Sequence, residues 1–284
     1  MMKAISIIKA SGEKESWDPE KLEHSLLAVK APLQLVQEII AHVEKDLRDG
    51  MHTSDIYEHA FALLKRYDSP FAAEYSLKKA IMQLGPSGFP FEKFVANILR
   101  AQGYQTRVGV MVAGRCVSHE VDVVAEKNDE RILVEAKFHN SPAIKSDIKV
   151  ALYVHARFED IRTRLETTDN GERYTHAWLI TNTNFTSQAI TYGNCVGLAM
   201  SGWNHPKDRT LQDLIRSTQT HPITCLTTLS GSQKLQLLTS GTVLCRDVID
   251  DPAKLARIGI SNSGIDAVMK EGAMLCPLPA PPKQ

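Results

Sequence analysis

Apolar residues recur every three or four positions through the first part of the chain. Leu22, Leu26 and Val29 stand at helical spacing behind Asp18-Pro19-Glu20, where Asp can cap and Pro suits the first turn. The same spacing predicts helices over about 32–49, ending at Gly50, over about 55–67 behind a Thr53 or Ser54 cap, and over about 70–84. Before them, residues 3–8 read as a short strand and Gly12 with its polar neighbours as a turn. Gly85-Pro86-Ser87-Gly88 breaks the rhythm and marks a boundary.

Beyond the boundary the pattern changes. Phe91 to Gln102 is an amphipathic helix stopped by Gly103. Short apolar runs at 104–112, 119–126, 131–138 and 176–182 read as strands, with a long helix over about 143–166 between the third and fourth. A helix over about 185–194 and a final strand at 195–203 complete a mixed α/β pattern. From about 210 the chain reads as short helices with Gly-containing turns, ending in the Pro-rich tail CPLPAPPKQ. The expected architecture is a helical unit with a small β-hairpin over 1–86, a mixed sheet flanked by helices over 87–215, and a small all-α unit over 216–284.

Composition narrows the classes. Lys+Arg and Asp+Glu both number 33, so zero net charge gives no hint of nucleic acid, and any basic surface must be local. The five cysteines, Cys116, Cys195, Cys225, Cys245 and Cys276, form no CxxC pair, which argues against a zinc ribbon and a disulfide scaffold and for a reducing cytoplasm. No signal peptide and no stretch of about 18 apolar residues is visible, so no membrane is expected.

The chemistry concentrates in 119–138, HEVDVVAEKNDERILVEAKF. Centring a hairpin turn on Asn128-Asp129 puts Lys127 opposite Glu130 and Glu126 opposite Arg131, both opposite-charge pairs. Val121, Val123, Ala125, Ile132, Val134 and Ala136 then share one face, and Asp122 falls opposite Glu135. Directly opposed residues have Cβ atoms about 4.5–5.5 Å apart, and two carboxylates so placed repel unless a proton or cation lies between them. Their hard oxygens suit Mg²⁺ or Mn²⁺. Lys137 lies on the same face, about 6.6 Å along the strand, where it could orient a water or neutralise a phosphate. The plainer alternative is a surface hairpin with a charged outer face, although Val124 and Leu133 also lie on that face.

Residues 88–205 resemble a PD-(D/E)XK nuclease of the Mrr-like restriction endonuclease group. The matching pieces are Gly88-Phe89-Pro90-Phe91-Glu92, Gly103-Tyr104, His119-Glu120-Val121-Asp122, Val134-Glu135-Ala136-Lys137 and the stretch WLITNTNFTSQAITYGNCVGLAMSGWN. The resemblance implies a metal site at Asp122, Glu135 and the intervening Ala136, a catalytic Lys137 and an assisting Glu92. Val121 stands where the family name has Pro. Lys145, Lys149, Tyr153 and Arg157, four residues apart, form a drifting stripe that could track a phosphate backbone or be a solvated face. His139 and Asn140 follow closely enough to touch substrate, and Trp178 and Trp203 read as core.

Residues 3–84 resemble an ATP-cone, a regulatory nucleotide-binding module, through Ile8-Lys9, Gly12, Glu15, Asp18, Lys21-Leu22, His52 to Tyr57, Ala73 and Tyr75. The resemblance implies binding of ATP or dATP at Lys9, Glu15, Lys21, Thr53 and Tyr57. No Walker-type loop is present, so binding without efficient hydrolysis is expected. Ala10 stands where the family usually has Arg, which removes a planar phosphate clamp. Residues 221–277 resemble two degenerate helix-hairpin-helix units, with Gly241 and Gly259 as hairpin positions that would offer backbone N–H groups to DNA; an ordinary helical packing unit fits as well. The combined expectation is a metal-dependent DNA endonuclease regulated by a purine nucleotide, in restriction or repair, with homo-oligomers possible. A nucleotide-responsive DNA-binding regulator with a non-catalytic nuclease fold is the alternative, and an allosteric subunit of nucleotide metabolism a third.

Overall fold

Asp18 starts the first helix as its side chain accepts a hydrogen bond from the Glu20 amide at 3.1 Å, with Pro19 in the first turn. The structure is a computed structural model that describes residues 5–9, 12–29, 31–67, 71–72, 75–167 and 173–276. Ala10, Ala73 and the Pro-rich tail beyond Cys276 lie outside the described residues. In chain order the first module contains β1 (Ser6–Ile8), β2 (Lys14–Ser16), α1 (Pro19–Leu27), α2 (Leu33–Asp46), β3 (Met51–His52), α3 (Thr53–Tyr67) and α4 (Leu77–Met82). The hairpin β1–β2 gains a third, parallel strand, since Ile8 pairs with His52. That two-residue strand runs straight into α3, which therefore begins at Thr53 rather than at 55. Leu26, Val36, Ile39, Ala60 and Leu64 form this module's own core.

The second part contains α5 (Phe89–Ala101), β4 (Gln105–Ala113), β5 (Ser118–Lys127), β6 (Glu130–Lys137), β7 (Lys145–Ser146), α6 (Ile148–Thr167), β8 (His176–Thr181), β9 (Asn184–Phe185), α7 (Ser187–Val196) and β10 (Ala199–Ser201). Five strands form a mixed sheet in the order β10-β8-β6-β5-β4. The first hairpins are antiparallel, and β8 and β10 are parallel to β6. The β5–β6 register is the one the charge pairs predict: Lys127 faces Glu130 and Glu126 faces Arg131. Asn128 takes φ 52 in the turn, a left-handed conformation that Asn tolerates.

Two boundaries in this second part also differ from the periodicity reading, each for a local reason. Lys145–Ser146 is a strand paired with Asn184–Phe185, and the Asp147 side chain accepts from the amides of Lys149 and Val150, so α6 starts at Ile148. Gly197 closes α7 in the left-handed conformation at φ 71, so residues 195–196 end a helix and the last strand is only Ala199–Ser201.

The last part contains α8 (Leu211–Thr218), a 3-10 turn (Ile223–Cys225), α9 (Gly231–Thr239), α10 (Cys245–Asp250), α11 (Ala253–Arg257) and α12 (Asn262–Leu275). Its apolar side chains do not form a separate core. Leu237, Val248 and Leu255 belong to one buried cluster with Phe91 and Phe94 of α5, with Val123, Ile132, Val134 and Trp178 of the sheet, and with Leu77, Ala80 and Ile81 of α4. Trp203 is buried there too. The opposite sheet face packs on α6, with Val124, Leu133 and Ile161 in contact.

Candidate active site

The site forms where the β5–β6 pairing ends. The ladder runs up to Val123 and Val134, and just past it the Asp122 carboxylate accepts the Ala136 amide hydrogen at 2.7 Å. Regular alternation fails here. Val123 faces the α5 side, but Val121 joins Val124, Leu133 and Ile161 on the α6 side, instead of sharing the face of Val123 as the sequence pattern suggests. The cause lies on the neighbouring strand. Val108 pairs with Val123 and Val110 with Val121, while the intervening Gly109 takes φ 63. A left-handed residue inside a strand kinks it as a bulge does, and such kinks re-aim side chains. Asp122 sits at that kink.

Four carboxylates gather around the position. Burial, followed by the charge of Glu135, pushes the Asp122 carboxyl up to about 7, with a smaller push from Glu92. Burial, then Glu120 and Glu135, also raises Glu92, which α5 brings in from the other side of the hairpin. Opposing them is Arg157 of α6. Its Nη1 lies 2.9 Å from a Glu135 oxygen and donates to the Glu120 carbonyl at 2.8 Å, and the guanidinium lies over the Tyr153 ring at 4.5 Å. The same Glu135 oxygen makes no hydrogen bond of good geometry, so the pair is ionic contact alone. Lys137, two residues past Glu135, pairs in the ladder with Thr181.

Sequence reasoning places Arg157 on a surface stripe with Lys145 and Lys149, and the structure corrects this. Arg157 is only 8% exposed and turned to the acids. Four-residue steps exceed the 3.6-residue turn, so the stripe rotates from exposed Lys149 through Tyr153 into the core at Arg157. Lys145 precedes the helix on β7. Glu120 is the site residue to which the sequence reading gave no role, and Arg157 the one it placed on the wrong surface. The drift of the stripe was the available signal for Arg157, and only its place beside Asp122 in the matching motif marked Glu120.

Next to Lys137 lies a buried polar network. His139 contacts Ser146 Oγ at 2.9 Å, Asn182 exchanges hydrogen bonds with the His139 backbone at 2.8 and 2.9 Å, and Ser146 donates to Thr181. Burial first, and the Lys137 charge second, lower the His139 pKa. One turn further along the same side of α6, Asp160 accepts from the amides of Cys116 and Val117 and meets His119 Nε2 at 2.8 Å, which ties the β4–β5 turn to the helix.

At the first module, Lys9 pairs with Glu13 at 3.3 Å and Glu15 at 2.8 Å, and Lys21 pairs with Glu15 at 2.9 Å. Thr53 follows β3 beside this hairpin. Tyr57 does not join them. Its ring stacks on Tyr75 at 5.0 Å and on Phe61 at 6.1 Å, and it lines a cavity shared with the C-terminal helices. Gly241 and Gly259 both take positive φ between helices, at 85° and 80°. A Cβ on Gly241 would lie 3.3 Å from Lys93 Nζ of α5, whereas nothing lies within 4 Å of one on Gly259, so only the second turn is open.

The restriction endonuclease family model matches residues 85–198, the ATP-cone model residues 5–81, and the model described as AF1548-like, C-terminal, residues 221–276. An uncharacterized protein of Archaeoglobus fulgidus is 36% identical over 178 residues, 62% of this chain and 97% of that protein. The chain belongs to its family. Among solved structures, the AF1548 protein of unknown function is 34% identical with a TM-score of 0.54, over 66% of this chain and 98% of its own. The MspJI restriction endonuclease bound to a 27-mer oligonucleotide is 14% identical with a TM-score of 0.30, over 46% of this chain and 29% of its own, a likeness too loose to argue from. This AF1548-like chain thus joins an ATP-cone to a restriction endonuclease domain.

Among the described residues no three His, Cys, Asp or Glu side chains stand at metal-binding spacing. The donor chemistry still fits a hard divalent ion. Asp122 and Glu135 are carboxylates close enough to raise a pKa, and one buried Glu135 oxygen lacks a hydrogen bond. No helix among the described residues is long and apolar enough to cross a membrane.

Proposed function

We propose that the chain is a metal-dependent DNA endonuclease whose phosphodiester hydrolysis is regulated by a purine nucleotide at the N-terminal cone. The observation that carries this reading is the adjacent carboxylate pair, Asp122 beside Glu135, with Lys137 next on the same strand as Glu135. In it, Asp122, Glu135 and the backbone of Ala136 would hold Mg²⁺ or Mn²⁺, which would supply Lewis-acid stabilisation of the phosphate. The Ala136 amide fixes the Asp122 carboxylate. The Lys137 ammonium neutralises charge developing on the phosphate. Glu92 supports the acids from α5. Lys145, Lys149 and the open Gly259 turn offer phosphate contacts, and Lys9 and Glu15 of the hairpin with Lys21 of α1 and Thr53 of α3 hold ATP or dATP. The divisions are 1–86, 87–215 and 216–284, the compartment the cytoplasm, and a homo-oligomer would cut both strands.

Incubation of the purified chain with plasmid DNA and Mg²⁺ or Mn²⁺, beside Lys137→Ala, tests the reading. Absence of metal-dependent cleavage on unmodified, modified and branched DNA would reject it. The Arg157–Glu135 ion pair favours a second reading, a nucleotide-responsive DNA-binding regulator whose nuclease fold is silent, because the guanidinium occupies a Glu135 oxygen that a metal would use. Mn²⁺ titration separates the two: the second reading expects no binding at Asp122 and Glu135.

A further inference from the structure

A cavity of about 180 Å³ lies between α3 and α4 of the cone and the C-terminal helices, lined by Lys65, Lys79 and Lys234 among others. Lys65 donates to the Thr227 carbonyl at 3.3 Å and Lys234 to the Thr224 carbonyl at 2.8 Å, while Lys79 pairs with Glu58. An ammonium has three donors, so one acceptor each leaves Lys65 and Lys234 with N–H groups to spare and, among the described residues, no carboxylate in contact. The nearby Glu271 is already engaged by the Thr227 and Thr228 amides and the Thr228 hydroxyl.

Two hydroxyls of lining residues are also unsatisfied: Tyr57 Oη and Thr227 Oγ1 are buried without a hydrogen-bond partner. Buried polar groups of this kind ordinarily have one. Burial lowers the Lys234 pKa, the usual response of a cation held away from water without a full counter-charge. Surplus donors, cationic charge and a half-open cavity at one place suit an anion with several oxygens.

Volume limits which anion. The space far exceeds the 10–15 Å³ or so that a single water needs. It falls below the roughly 300 Å³ at which small-molecule pockets begin, so it suits a phosphoryl or diphosphoryl group rather than a whole nucleotide. We propose that this junction cavity binds a phosphate-bearing ligand, either free pyrophosphate or the polyphosphate end of a nucleotide, between Lys65, Lys79 and Lys234. The site is separate from the β1–β2 hairpin, where Lys9 and Lys21 are already paired with Glu13 and Glu15. It does not depend on the nuclease reading.

Calorimetry on the full chain with pyrophosphate, ATP and adenosine tests it. Pyrophosphate is expected to bind and adenosine alone not to. Binding of ATP at the junction would show as competition with pyrophosphate, and its absence would assign the site to the free anion. Lys65→Gln and Lys234→Gln should each weaken pyrophosphate about tenfold, the loss of one charge-assisted hydrogen bond, while Lys9→Gln with Lys21→Gln leaves it unchanged. Lys79→Gln, like Lys65→Gln at an exposed position that tolerates change, should weaken it too and guards against misfolding of the half-buried Lys234 variant. No pyrophosphate binding, equal affinity in the Lys65/Lys234 and Lys79 variants, or loss only in the Lys9/Lys21 variant would overturn the proposal.

Discussion

The Arg157 guanidinium stands 2.9 Å from the Glu135 carboxylate, both largely buried. Removing one partner of such a pair leaves the other as an uncompensated buried charge, at a cost of about 3–5 kcal/mol. Arg157→Met should therefore lower the melting temperature without metal, and Mn²⁺ should restore more of it than it adds to the wild type. Equal Mn²⁺ shifts in both proteins would show that guanidinium and metal do not share the carboxylate.

Asp122 should make the metal-free protein less stable as pH rises. Its folded-state pKa is pushed up to about 7, against about 3.9 for an unfolded Asp. Folding thus favours the protonated acid; that contribution is complete below about pH 4 and lost as pH climbs through 7. Melting temperatures measured from pH 5 to 8 in chelator should fall in the wild type, and Asp122→Asn should flatten the fall. Parallel profiles would reject the coupling.

Lys137→Ala should reduce metal-dependent cleavage about 10²–10³-fold, the usual effect of losing one donor to a transition-state charge. Its melting temperature should change little, since this half-exposed lysine makes no ion pair among the described residues. A variant that cuts as fast as the wild type would remove Lys137 from the site.

Gly109 tests the strand kink. Its φ of 63 suits glycine, and a side chain there costs about 1–2 kcal/mol. Nothing lies within 4 Å of an added Cβ, so steric clash would not confuse the result. Gly109→Val should slow cleavage by re-aiming Asp122 although it touches neither acid; a stability loss with cleavage intact would make the kink incidental.

Asp160 is held well below the usual carboxylate range, first by His119 and also by the Cys116 and Val117 amides. A depressed pKa contributes stability that is complete above the unfolded value of about 4 and is lost only as pH falls on through the lower folded-state value. Asp160→Asn should lower the melting temperature at pH 7, with a gap from the wild type that begins to narrow as pH falls below about 4. A gap that does not narrow between pH 5 and 3 would mean that packing, not charge, ties the turn.

Legibility in the sequence followed the range of the interactions. The hairpin register was readable because Lys127–Glu130 and Glu126–Arg131 lie next to their own turn. The α1 start was readable from Asp18 and Pro19. Strands of two residues, Met51–His52 and Lys145–Ser146, carry no period, and their partners are distant in the chain. Arg157 and Tyr57 were placed among the wrong neighbours, because what each faces comes from another element: the end of the β5–β6 hairpin for Arg157, the C-terminal helices for Tyr57.

Helix α4 falls partly within the ATP-cone match, yet Leu77, Ala80 and Ile81 are buried with Phe91, Phe94 and the sheet. The ATP-cone and the endonuclease domain therefore share a beam. Under the proposed regulation, a nucleotide that tilted the cone would not swing it on a loose joint; the tilt would press on the floor beneath α5, the helix that carries Glu92.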